Sequence, residues 1–154
     1  MGGTWNYARL FEETTGPSDP PYPRLKSNVD DLVVADGHLK AGDLRAAAVY
    51  IRAAFESRLK TICEDNGIEV GYKSDAKLLT ADTLWKRILR RHVKCVSKQG
   101  EFLDPALIPR ISAIRSAVLN RLSHSGASSL TKTELEVALQ TVIDFRKTPI
   151  PFKT

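Results

Sequence analysis

The sequence has few cysteines, no long apolar run and no targeting leader, and each absence excludes a class of protein. Its 154 residues include only Cys63 and Cys95, which lie far apart with no histidine at metal-ligand spacing. We therefore expect two reduced, partly buried thiols and no disulfide or zinc site. No apolar run approaches the roughly 20 residues of a membrane span, and no charged-then-apolar leader opens the chain. These absences predict a soluble, cytoplasmic protein.

The motifs of several enzyme classes are also missing. The sequence contains no glycine-rich phosphate loop, no nucleophile elbow and no set of carboxylates and histidines spaced for a metal. We therefore expect neither a cofactor nor a metal, and nothing favours an ATPase or a protease. The charge balance is mildly basic, with a formal net charge of +5. An excess of this size permits nucleic-acid binding without arguing strongly for it.

Prolines are concentrated toward the two ends, which leaves a long central region able to form helices. Because proline excludes a helix interior and a central strand, residues 1–26 are predicted to form an irregular lead-in, either a linker or a docking segment. Residues 27–147 are predicted to form one helical domain, and residues 148–154 a C-terminal tail. No convincing strand pattern is present, so the predicted fold class is an all-α bundle of five helices.

Helix boundaries follow from capping residues and apolar periodicity. The first two helices are close in sequence, which predicts an antiparallel hairpin. The five helices are expected over about 27–40, 44–66, 82–97, 104–126 and 131–146. Asp43 is expected to cap the second helix, and Asp104 the fourth, with Pro105 at its first helical position. Thr131 and Glu134 are expected to form a capping box at the start of the fifth helix, which ends at about Arg146. The positions expected to be buried are Val29, Leu32, Val33, Leu39, Leu44, Ala47, Ala48, Ile51, Phe55, Leu59, Ile62, Trp85, Ile88, Leu89, Val96, Leu107, Ile111, Ile114, Val118, Leu122, Leu135, Ala138, Leu139 and Val142.

A row of cations on the third helix is the first candidate site. No Asp or Glu lies between Asp82 and Glu101 to neutralise it, so the row could contact phosphates along a nucleic-acid backbone, without reading the base sequence. The alternatives are a solvated helix face and a face that meets an acidic partner. His92, on the apolar side, is expected to be structural. We call the cations the basic face: Lys86, Arg87, Arg90, Arg91, Lys94 and Lys98.

The end of the fourth helix is the second candidate site. Asn120 lies four residues before His124 and Arg121 three, so both lie on the same side of a helix as His124. An arginine beside a histidine can hold a phosphate and transfer a proton, which is the minimum for metal-free RNA cleavage by the 2′-hydroxyl.

An alanine- and arginine-rich helix followed by a late helix ending in Asn-x-x-x-His resembles the HEPN group of helical domains, over about residues 28–146. Residues 41–56 also resemble the helical hairpin of such domains attached to defence ATPases and nucleases. The resemblance implies a bundle of four or five helices from a bacterial phage-defence or toxin–antitoxin protein. It also implies the partners, which are RNA, a second copy in a homodimer, and a larger defence protein or ATPase. Many members of the group are metal-independent RNases with a site shared across a dimer.

The chain departs from the catalytic members at one position. Their arginine, which four to six intervening residues separate from the histidine, corresponds here to the apolar segment 117–119. Arg115 would lie on the opposite side of the helix from His124, whereas Arg121 is only about 60° away and could replace it. Glu56 either orients Arg121 or His124, as the resemblance implies, or forms a plain intrahelical pair with Arg52.

Three functions follow from these patterns. The predicted one is a HEPN-like binding and dimerisation module with a degenerate catalytic motif. The alternatives are a metal-independent RNase, with His124 as acid and base and Arg121 on the phosphate across a dimer, and a structural adaptor without nucleic-acid contact.

Overall fold

The computed structural model describes residues 9–13, 22–26, 30–70, 80–99, 103–116, 130–148 and 150, with backbone alone for both strands and for 96–99. Five helices make up most of this part of the chain, which confirms the predicted all-α five-helix fold. They are α1 (Asp31–Lys40), α2 (Leu44–Asp65), α3 (Ala81–Gln99), α4 (Leu107–Ile114) and α5 (Lys132–Lys147).

The N-terminal lead-in contains a feature that the sequence did not predict. Strands β1 (Arg9–Glu13) and β2 (Tyr22–Lys26) pair antiparallel, with Glu12 opposite Pro23. The prediction of an irregular segment was wrong for these residues. Both strands of a two-stranded ladder are edge strands, where a proline is tolerated. The prolines therefore do not prevent these two strands from pairing. The fold class is unchanged, because the described core lies within residues 32–150.

Local capping bonds fix the ends of three helices. The Asp30 side chain accepts from Leu32 N at 2.9 Å before α1, and the Asp43 side chain accepts from Ala46 N at 3.0 Å before α2. Gly42 has a φ of 80°, which suits glycine and lets the chain reverse so that α1 packs on α2 as the predicted hairpin. The capping box of Thr131 and Glu134 at the start of α5 is also confirmed.

The start of α4 differs from the prediction. The helix begins at Leu107, and its N-cap is Ala106, which has no side-chain capping bond. Asp104 instead accepts from Ala106 N at 2.9 Å, which closes a turn that includes Pro105. Because this bond spans two residues, as in an Asx-turn, Asp104 stabilises the turn rather than the helix. The predicted continuation of this helix over 117–126 lies outside the described residues.

Three aromatic rings join α2, α3 and α5 at the centre of the core. Phe55, Trp85 and Phe145 are fully buried, and the ring of Phe145 lies 5.9 Å from that of Phe55 and 6.1 Å from that of Trp85, centroid to centroid. These distances and tilts fall in the favourable range for aromatic pairs. Phe145 was missing from the predicted core, although its position continues the apolar stripe of α5.

Most of the predicted core positions are buried, and one is wrong. Val33 is 63% exposed, because α1 buries the stripe of Leu32, Ala35 and Leu39, and Val33 lies on another side of the helix. Leu44 and Leu89 are only partly buried. Val29, Val118, Leu122 and the side chain of Val96 lie outside the described residues.

Candidate nucleic-acid interface

Over its described side chains, 81–95, helix α3 places buried apolar residues on one side and exposed cations on the other. Thr80 Oγ1 accepts from Thr83 N at 3.3 Å at the start of the helix. Leu84, Trp85 and Ile88 are almost completely buried, and they anchor one side of α3 in the core. The basic side chains on the other side therefore face outward, because the helical period fixes the angle between the two stripes.

The described residues of the basic face lie together as predicted. Lys86, Arg87, Arg90 and Lys94 are exposed, and Arg91 is partly buried. The backbone of Lys98 belongs to α3, but its side chain is not among those described.

The cations of this face are not equivalent. Asp82 Oδ2 lies 2.7 Å from Lys86 Nζ, so the first residue of the basic face is paired within its own helix. Within the described ranges, no carboxylate lies within ion-pair distance of Arg87 or Arg90. The i, i+4 spacing of Asp82 and Lys86 was visible in the sequence and could have revealed this pair. Arg87 and Arg90 are therefore more available to an anion than Lys86 is.

Asp82 also joins α3 to the end of α4. Its Oδ1 lies 2.9 Å from Nη2 of Arg115, the C-cap residue of α4, and the Arg115 side chain is only 18% exposed. The hydrogen bond from Lys86 lowers the pKa of Asp82, burial opposes this change, and the charge of Arg115 lowers the pKa further. Asp82 and Arg115 are far apart in sequence, so no local pattern predicts this contact.

His92 is structural, as the sequence predicted. Its side chain is buried, and Nδ1 accepts a hydrogen bond from Leu103 N at 3.1 Å. The bond connects α3 to the segment that precedes α4. His92 therefore satisfies a backbone donor and is turned away from the basic face.

Replacing His92 by leucine should lower the free energy of unfolding by about 1–3 kcal/mol, because the buried N–H of Leu103 loses its acceptor. In the matched variant His92→Asn, the side-chain oxygen can replace Nδ1, and we expect a smaller loss. Urea denaturation followed by circular dichroism measures both. Equal losses in the two variants would show that the ring's volume matters and the hydrogen bond does not.

The second candidate site is described only at one residue. Glu56 accepts from Arg52 Nε at 2.8 Å, and both side chains are about one-third exposed, which confirms the intrahelical pair. Asn120, Arg121 and His124 lie outside the described residues. Their catalytic roles, and the orientation of Arg121 or His124 by Glu56, therefore stay predictions.

The two cysteines are free, as expected, and they are buried rather than partly buried. Burial raises the pKa of the Cys63 thiol. Among the residues that the structure describes, no three His, Cys, Asp or Glu side chains are grouped as metal ligands would be. None of the described helices is both long and apolar enough to traverse a bilayer.

Comparisons of the chain with family models, with curated proteins and with solved structures find no match. The fold and the described site together define an all-α five-helix protein with one amphipathic, strongly basic helix.

Proposed function

We propose that this chain is a helical RNA-binding module that contacts the phosphate backbone through the basic face of α3. One observation carries the proposal. Arg87 and Arg90 are exposed on the same side of a helix that is anchored in the core, and they have no carboxylate partner within the described part of the chain. Such arginines keep their donors available for phosphate oxygens, which they bind with charge-assisted hydrogen bonds.

The geometry of α3 suits a polyanion better than a single small anion. Residues three and four apart on a helix lie about 5–6 Å from one another, so the face presents a row of cations and not a closed pocket. From Arg87 to Lys94 the row extends about 10 Å along the axis. A nucleic-acid strand offers phosphates along its whole length, so several cations can bind at once and release counterions.

The HEPN-like resemblance supports RNA as the ligand and a bacterial defence or toxin–antitoxin protein as the setting. In that setting the module would pair with a second copy or with a larger defence protein or ATPase. The arginine of the catalytic motif is replaced by apolar residues at 117–119. We therefore propose binding without cleavage. A metal-free RNase that uses His124 and Arg121, and an adaptor without RNA contact, are the competing proposals.

Reversing two charges on α3 tests the proposal. The variant Arg87→Glu/Arg90→Glu should raise the Kd for labelled tRNA roughly 10- to 100-fold near 0.1 M salt, because two phosphate contacts are lost. The slope of log K against log salt should flatten by about 1.4 to 1.8. Fluorescence anisotropy over a salt series measures both quantities.

The matched control is Arg45→Glu/Lys60→Glu, which changes the net charge equally at two exposed residues of α2. We expect this control to bind tRNA within about threefold of the parent, because only the long-range field changes. Equal weakening by the two double variants would contradict a site on α3. A parent protein that does not bind tRNA would favour the adaptor. If the parent cleaves tRNA in EDTA and a folded His124→Ala protein does not, the RNase proposal replaces the proposal of binding without cleavage.

A further inference from the structure

One carboxylate at the start of the basic face holds two cations from different helices. Asp82 binds Lys86 of α3 through one oxygen, at 2.7 Å, and Arg115 of α4 through the other, at 2.9 Å. Lys86 is 66% exposed, whereas Arg115 is 18% exposed, so Lys86 is the cation that a ligand can reach.

Lys86 and Arg115 bind the Asp82 carboxylate in the same way as such side chains bind a phosphate. Lysine and arginine donate to carboxylate and to phosphate oxygens with the same charge-assisted hydrogen bonds, at about 2.7–2.9 Å. Asp82 therefore occupies the bonding capacity that Lys86 would otherwise offer to RNA. Arg115 holds the carboxylate from the other side, and its buried Nε has no hydrogen-bond partner in the described residues.

We infer that Asp82 is an intramolecular competitor of RNA, which withholds Lys86 from the phosphate backbone and so limits the affinity of the basic face. The inference rests on the proposed function, because it concerns the same face. The hydrogen bond from Lys86, with the charge of Arg115, keeps the pKa of Asp82 below its ordinary value, so the competitor stays charged at neutral pH.

Neutralising the carboxylate should therefore strengthen binding. The variant Asp82→Asn should lower the Kd for tRNA roughly five- to eightfold near 0.1 M salt, because one more cation can release a counterion. The slope of log K against log salt should steepen by about 0.7 to 0.9. Anisotropy titrations under the same conditions as for the parent measure both, and circular dichroism at the same temperature checks that the variant is folded.

The control is Asp36→Asn on α1. Asp36 forms the same kind of i, i+4 pair with Lys40, so the variant changes the net charge equally and also releases a lysine, but on another helix. We expect its affinity to stay within about twofold of the parent, because the released charge lies on α1. Equal gains from Asp82→Asn and Asp36→Asn would overturn the inference and show a general charge effect. No gain from folded Asp82→Asn would overturn it as well.

Lys86→Gln gives a second test that does not need the Asp82 variant to fold well. In the parent, Lys86→Gln should raise the Kd less than Arg90→Gln does, since Asp82 already occupies this lysine. In the Asp82→Asn background it should remove most of the gain, so the two substitutions are not additive. A loss on Lys86→Gln in the parent as large as that on Arg90→Gln would overturn the inference while leaving the proposed function intact. Absence of tRNA binding by the parent would reject both.

Discussion

Replacing Phe145 by alanine is expected to lower the free energy of unfolding by about 3–5 kcal/mol. The ring is fully buried and contacts the rings of Phe55 and Trp85, so its removal leaves a cavity where α2, α3 and α5 meet. The guanidinium carbon of Arg58 also lies 5.9 Å from the centroid of this ring. The truncation would therefore expose a partly buried charge to an empty space.

Thermal and urea denaturation measure this loss. For a domain of this size about 1 kcal/mol corresponds to 2–4 °C in Tm, so we expect a fall of roughly 6–20 °C. The control is Val137→Ala on the same helix, where the side chain is 57% exposed. Its effect should stay within about 0.5 kcal/mol, as for most surface substitutions. Similar losses in Phe145→Ala and Val137→Ala would contradict the position of the core.

Acidification is expected to destabilise the protein, because three carboxylates form ion pairs with lysine or arginine side chains in the native state. Bonds from cations lower the pKa of each: Arg146 for Asp30, Lys86 for Asp82 and Arg110 for Asp144. A folded-state pKa below the unfolded value of about 3.9 means that the native state prefers the charged form. This contribution to stability is fully present above the unfolded pKa, and it is lost as the pH falls through the folded pKa. The loss should therefore appear below about pH 4.

Asp30 is the carboxylate at which this effect can be tested. It forms an ion pair with Arg146 on α5, and its side chain also caps α1. The variant Asp30→Asn keeps a good capping residue and removes the charge. It should have a lower Tm than the parent at pH 7, and the difference should shrink toward zero as the pH falls to about 2. Arg146→Gln, which removes the partner instead, should show the same convergence. Parallel curves of Tm against pH for parent and variants would show that the ion pair contributes nothing.

The helices and most of the core could be predicted because their causes are local. The side chain of Asp43 reaches three residues along the chain, and Thr131 and Glu134 bond to each other, so sequence spacing alone identifies these caps. Sequence spacing also identifies the buried positions of a helix where its apolar residues form a single stripe. At Val33 the apolar residue adjoins Leu32, and only the packing of α1 on its neighbours decides which of the two is buried.

The contacts that determine the candidate site are of two kinds. The shared face of Arg87 and Arg90 follows from the helical period and was predicted. The contact of Arg115 with Asp82 and that of Leu103 with His92 depend on how α3 and α4 are placed in space, which no local pattern encodes. The strand pair of the lead-in was missed for a different reason. Proline restricts interior strands much more than the edges of a two-stranded ladder.

The bond between Asp30 and Arg146 has a topological consequence. Asp30 precedes the first helix and Arg146 lies in the last turn of α5, so the described helices begin and end at one place on the surface. Neighbouring ends are the property that lets a domain be inserted into a loop of a host protein, or be circularly permuted, without disturbing its interior. The five helices therefore have the geometry of a cassette, which another polypeptide can carry by both ends.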